Sequence, residues 1–433
     1  MAKRQQLIAF AGVATTVALL AGCSGGGGSN AEPTSEPTST GGTVTFAAQT
    51  QEQAVWEQLI ASFEEQYPSY TVNATFTPND QFAQLIQTQY QAGQAADVIQ
   101  VTPGTGGGLA GLSLAEDGRL ADLDGQTWIE EVPEGLKPLI TLDDKTYILP
   151  TAIAPYFVAY NPDIFDELGL EIPRTFDDLL DACGTVKDAD LIPIALAGAS
   201  YSNVNITLQT LASNNVDGPS PDWTDERYAD KTTFEDSKEW QKVLKDFQEM
   251  IDAGCYAPDA AAVAAPVHSQ QFGAGQAAMY VMPAQALSIV AANSTPDLKV
   301  STFPFPGDSE KNTWIPTASG IGVVVNADAK DVGAAKKFVE FLGEPEQRIA
   351  YSEESGGIAW AAGENGEDVI PEVLEPLRDI LASDHAPAPG YLLWPGAGVA
   401  QQLATSAQGL LTGQKSIDQV LQDTDAAWDQ AAN

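Results

Sequence analysis

Histidine is nearly missing from this chain: His268 and His385 are the only two in 433 residues. A zinc site draws mainly on histidine and cysteine, and most proton-shuttling active sites use an imidazole, so both lose their usual material and no metal is expected. Cysteine is scarce too, at three. Basic residues number 20 against 59 acids, for a formal charge of −39. Such a surface repels nucleic acid and disfavours a phosphorylated ligand, but it does not bear against a neutral solute. No zinc motif, Gly-x-Ser-x-Gly elbow or nucleotide-binding loop occurs. Beyond the leader, no apolar run is long enough to span a bilayer.

The leader is what the sequence states most clearly. Lys3 and Arg4 precede an uncharged run, Leu7 to Leu20, with the pattern of a secretory signal and too short for a comfortable membrane span. The run ends in Leu20-Ala21-Gly22-Cys23. These four residues resemble the bacterial lipobox, which implies removal of residues 1–22 and a diacylglyceryl group on Cys23. The mature protein is then extracytoplasmic and anchored to the cell membrane, since two or three acyl chains at about 0.8 kcal/mol per buried CH2 hold it there. Residues 23–42 are rich in Gly, Ser, Thr and Pro and cannot bury a core, so they read as a flexible tether. In an exported protein, where disulfides persist, Cys183 and Cys255 are expected to pair.

From Thr43 the chain alternates. Thr43 to Ala48 has strand periodicity, and Val55, Trp56, Leu59, Ile60, Phe63 and Tyr67 recur at helical spacing up to Pro68. A strand from Tyr70, a helix marked by Phe82, Leu85, Ile86 and Tyr90, and a short apolar strand, Asp97 to Val101, complete a pattern typical of a parallel sheet. In such sheets ligands bind beyond the carboxyl ends of the strands. Those ends are Gln49-Thr50-Gln51, Pro78-Asn79-Asp80 and Thr102-Pro103, which are polar and suited to hydrogen-bonding a neutral solute. The Gly-rich stretch Thr105 to Gly111 lacks the Lys-Ser/Thr of a phosphate loop and reads as a turn into a helix. Asp143-Asp144 reads as a hairpin turn, and Thr175 with Asp178 as a capping box. About 390 folded residues exceed what one core usually serves, so two domains are expected.

Several segments together resemble one family. They are Ala96 to Ile99, Leu114 to Leu120, Tyr147 to Pro150, Ala159 to Phe165, Pro173 to Leu179, Phe272 to Tyr280 and Ala334 to Leu342. In this order, behind a lipobox, they are similar to the extracellular solute-binding proteins of bacterial carbohydrate ABC importers, the group of maltose-binding protein. The resemblance implies an α/β, periplasmic-binding-protein-like fold: two discontinuous lobes joined by hinge crossovers, with a ligand cleft between them. Crossings are expected near Ile148 to Ala154, Val281 to Ala286 and Gly343 to Gln347. Lobe one is then residues 43–150 and 284–343, with the strands Val300 to Phe303 and Ile321 to Val325 returning to it. Lobe two is residues 151–283 and 344–433, including the C-terminal helices.

The implied function is capture of a neutral saccharide for a membrane permease, by a monomer that needs no cofactor and catalyses nothing. The alternatives are a non-sugar solute such as a polyamine or glycerol phosphate, or a surface glycan-active enzyme. In this family aromatic rings stack on sugar faces and polar side chains fix hydroxyls. Aromatics outside helical stripes are therefore the candidates: Tyr156, Tyr201, Trp314, Trp360, Tyr391 and Trp394. Polar candidates are Gln49, Thr50, Gln51, Asn79, Thr102, Asn203, Gln285 and Ser319. Trp56, Trp240 and Trp428 fall in helical stripes and belong to the core. Met282-Pro283-Ala284-Gln285 stands where relatives often carry a Gly-x-Trp turn, which puts a standard stacking platform in doubt.

Overall fold

The computed structural model describes residues 41–363 and 366–432, with only the backbone of Asn79 and Asp80. The leader, Cys23 and the tether lie outside the described residues. Two sheets organise the rest. The first uses β1 (Gly42–Gln49), β2 (Tyr70–Thr77), β3 (Val98–Val101), β4 (Leu120–Ala121) and, after a hairpin of β5 (Thr141–Leu142) and β6 (Lys145–Thr146), β7 (Leu149–Pro150). The second uses β8 (Ala154–Tyr160), β9 (Ile192–Ala195), β10 (Ala277–Pro283), β11 (Ser301–Phe303) and β12 (Thr317–Ala318). A last strand, β13 (Gly322–Asn326), returns to the first sheet, whose order is β2-β1-β3-β13-β4 with β7 also on β13. The order in the second is β11-β8-β10-β9, with β12 on β8. Both cores are helix-covered, as expected of a two-lobed α/β protein.

Local chemistry explains the elements. In the hairpin, Asp143 and Asp144 both take positive φ, which a two-residue turn matching strand twist requires. Thr175 and Asp178 cap the helix Phe176–Asp188 reciprocally. The helix Lys238–Ala253 buries Trp240, Val243, Leu244, Phe247 and Met250 on one stripe and ends at Gly254 in the left-handed region. Cys183, in the first of these helices, is disulfide-bonded to Cys255, just beyond the end of the second, and both are buried.

Two expectations about chain path need correction. Ser301–Phe303 does not join the first sheet but pairs antiparallel with β8 in the second. β10 occupies one edge of β8 and leaves the other open. Phe303 there packs 5.6 Å from Tyr160, while the Thr302 hydroxyl bonds the Val373 carbonyl. The chain also does not leave the first sheet's side at Gly343–Gln347. The helix Pro345–Ser355 lies along the helix Gln53–Gln66, with Tyr351 against Trp56 at 5.3 Å, and Trp360 donates its indole N–H to the Pro150 carbonyl at 3.2 Å.

Candidate functional site

Strand direction places the site. β1, β2 and β3 are parallel and end at Gln49, Thr77 and Val101. β13 runs opposite and begins at that same edge, with Gly322 beside Val101 and beside Pro150 of β7. In the second sheet β9 and β10 are parallel and end at Ala195 and Pro283, next to the start of β8. The short links from β7 to β8 and from β12 to β13 join these two edges. The carboxyl ends of the parallel strands in both sheets therefore face a shared zone.

Polar side chains gather on that zone. Gln100, 1% exposed in the middle of β3, accepts the Gln49 N–H at 2.9 Å and donates to a Glu52 carboxylate oxygen at 2.7 Å. Burial raises the Glu52 pKa, with the Gln100 hydrogen bond opposing. Tyr351 is raised well above the usual phenol value, first by burial and then by the Glu52 charge, while a hydrogen bond with Thr151 works the other way. Thr151 donates its N–H and hydroxyl to the Ile321 carbonyl at 3.1 and 3.0 Å. Next to that turn, Ser319 is 1% exposed and its hydroxyl has no partner among the described residues. Gly320 follows at φ +62, where a Cβ would stand 3.0 Å from the Gln285 amide nitrogen. Lobe one thus supplies an acceptor-rich floor, and the crossings supply hydroxyls and an amide.

The expected residues divide. Gln49, Gln285 and Ser319 belong to this cluster, with Thr50 and Gln51 exposed in the adjoining turn. Thr102 is half-buried, and its backbone is bonded within its own loop to Leu109 and Gly111. Asn79 opens the helix Asn79–Gln91, its side chain lying outside the described residues. Tyr201 is exposed at the start of the helix that follows β9, and Asn203, two residues beyond, bonds Ser200. The Tyr156 and Tyr391 hydroxyls bond each other at 3.0 Å. Trp314 has one face covered by His385, stacked at 4.1 Å.

Two tryptophans are not open to a ligand. Trp394 is 1% exposed among Phe234, Trp240 and Trp428, with ring centroids 5.2 to 6.1 Å away. Trp360 is fully buried, and the Arg348 guanidinium lies 3.8 Å from its ring centroid. Both rings are core, and the loop position that singled them out carries no stacking face.

Glu52, Gln100, Thr151 and Tyr351 were missed. Gln100 carried a signal, a long polar side chain inside the apolar run Val98 to Val101. Glu52 looked like an ordinary acid at a helix start. A separate groove of about 430 Å³ is lined by Thr105, Gly107, Gly108 and Ser113 on one side and by Gly396 and Ala397 on the other. Among the described residues no cluster of three His, Cys, Asp or Glu side chains could hold a metal, and no helix is long and apolar enough to cross a membrane.

Comparison with known proteins agrees with this architecture. A family model described as bacterial extracellular solute-binding protein matches residues 47–349. The multiple sugar-binding protein of Streptococcus mutans is 22% identical over 350 residues, covering 76% of this chain and 77% of its own. Among solved structures, the solute-binding protein RafE in complex with raffinose superposes with a TM-score of 0.74 at 20% identity, covering 90% of this chain and 100% of that one. A chitin oligosaccharide binding protein gives 0.75 at 19%, covering 90% and 99%.

Proposed function

Because this chain belongs to the bacterial extracellular solute-binding protein family, we propose that it captures a saccharide between its lobes and delivers it to the permease of an ABC importer. The observation that carries the reading is the Glu52–Gln100–Tyr351–Ser319 cluster on the facing sheet edges. A carboxylate without a neighbouring cation, an amide and the unpaired Ser319 hydroxyl are groups that hold sugar hydroxyls, and the carboxylate disfavours a phosphate. Similarity to proteins whose names state sugar binding supports the same solute class.

In this reading Gln49, Glu52, Gln100, Gln285, Ser319 and Tyr351 fix hydroxyls, and Thr50, Gln51, Asn79, Thr102 and Asn203 form the rim. Tyr201 offers an exposed ring, and Tyr156, Tyr391 and Trp314 are the other aromatic candidates. Residues 42–150 and 322–360 make lobe one, and residues 154–283, 301–318 and 372–431 make lobe two. Solute bound to both lobes favours the closed state, which a permease can read. Lipid on Cys23 and the tether keep the monomer beside that permease at raised effective concentration.

A thermal-shift panel of mono- and oligosaccharides, amino acids, polyamines and glycerol phosphates tests the solute class. A ligand at 1,000 times its dissociation constant stabilises by about 4 kcal/mol, so a cognate sugar gives a large shift. A shift with a polyamine or glycerol phosphate and with no sugar would replace this reading.

A further inference from the structure

The glycine-rich loop after β3 lacks the Lys-Ser/Thr of a phosphate loop, and its glycines have a structural reason. The loop is pinned to lobe one: the Gly104 N–H bonds the Leu139 carbonyl at 2.7 Å, and the Leu112 N–H returns to the Gly104 carbonyl at 3.0 Å. Its other contacts go to the segment Pro389–Trp394, which is held on the far side. That segment is fixed by Trp394 in the second core, by the Gly390 N–H on the Asp217 carboxylate, and by the Tyr228 hydroxyl on the Leu393 carbonyl at 2.9 Å. Between the two, the N–H groups of Thr105 and Gly106 both donate to the Leu392 carbonyl, at 2.8 and 2.9 Å, and the Thr105 hydroxyl donates to the Trp394 carbonyl at 2.8 Å. Leu392 itself is buried in an apolar cluster shared by both sheets, two residues before Trp394 enters the second-lobe cluster of Phe234, Trp240 and Trp428.

We propose that the loop 104–106 and the strap 389–394 form a latch that holds the lobes closed at one end of the cleft without bound solute. The glycines allow the backbones to approach. A Cβ on Gly104 would lie 2.1 Å from the Leu392 carbonyl oxygen, and one on Gly106 would lie 1.8 Å from that of Tyr391. Gly104 also has φ +82, so a side chain there is strained in any state. Gly106 has no such φ. Its requirement for glycine comes from the strap alone, and an alanine there is unstrained once the strap moves away. Gly106→Ala therefore acts on the latched state and spares the unlatched one.

The latch depends on the cleft lying between the lobes, but its test needs no solute. Spin labels on Glu65→Cys and Lys245→Cys, exposed on the outer helices of the two lobes, report the lobe separation of the whole ligand-free chain by double electron–electron resonance. The unaltered latch should give mainly the short distance. Gly106→Ala should lower the closed-to-open ratio about tenfold or more, as expected for losing three hydrogen bonds to a steric clash. If Gly106→Ala fails to fold, Thr105→Val with Tyr228→Phe removes two of the hydroxyl bonds and adds nothing at the contact, and should move the distribution the same way. A distance distribution unchanged by these variants overturns the latch, whatever solute the cleft takes.

Discussion

One carboxylate oxygen of Asp217 is buried with no partner among the described residues, while the group accepts the Gly390 N–H. Burial pushes its pKa up to about 7 from an unfolded value of 3.8, the hydrogen bond opposing. Between those values the folded chain keeps a proton that the unfolded chain has lost. The stability this contributes is complete below the unfolded value and is lost as pH rises through the folded one. Asp217→Asn keeps an oxygen for Gly390 and carries no charge. It should raise Tm by roughly 2–4 °C at about pH 8 and leave it unchanged near pH 4, read by scanning calorimetry. Equal gains at both would assign the effect to something other than this proton. Single residues were also the hardest thing to read from sequence. Helical spacing correctly put Trp56, Trp240 and Trp428 in the core. Loop position said nothing comparable about Trp360 and Trp394, because burial there depends on Arg348 and Phe234, 12 and 160 residues away in sequence. Glu52 and Tyr351 form one electrostatic unit only because a crossing brings the helix Pro345–Ser355 onto the helix Gln53–Gln66.

Elements were far more legible, since their causes are local: caps, periodic stripes and turn residues. The Asp143-Asp144 hairpin and the Thr175–Asp178 box needed no tertiary knowledge. Strand pairing did need it, and β11 went to the second sheet because the free edge of β8 was there. The disulfide is the covalent tie at this scale, joining two helix-bearing segments 72 residues apart. Closing so long a loop restricts the unfolded chain by about 4 kcal/mol in the chain-entropy account. Replacing both Cys183 and Cys255 with alanine should lower the unfolding free energy in urea by about that amount and raise the m-value, because the freed unfolded chain expands. An unchanged midpoint would show that the bridge adds no stability.

At the scale of the whole molecule, two α/β lobes with facing strand ends were foreseeable from the alternation of elements and from ordered segments resembling a known family. The sites of the crossings were not fully legible, because Ser301–Phe303 and Pro345–Trp360 are short, amphipathic pieces that either lobe could bury. The acidic balance is a property of the whole surface, and in the proposed reading the Glu52 carboxylate adds to it as a further barrier to anionic solutes. The central claim is that this floor holds a sugar. Isothermal titration calorimetry of the unaltered chain and of Glu52→Ala, against the same saccharide panel, tests it most directly. The expected result is one-to-one binding of at least one saccharide, weakened about tenfold or more by Glu52→Ala with the melting transition preserved. Sugar binding that is indifferent to Glu52, or heat only from a polyamine or glycerol phosphate, would contradict it.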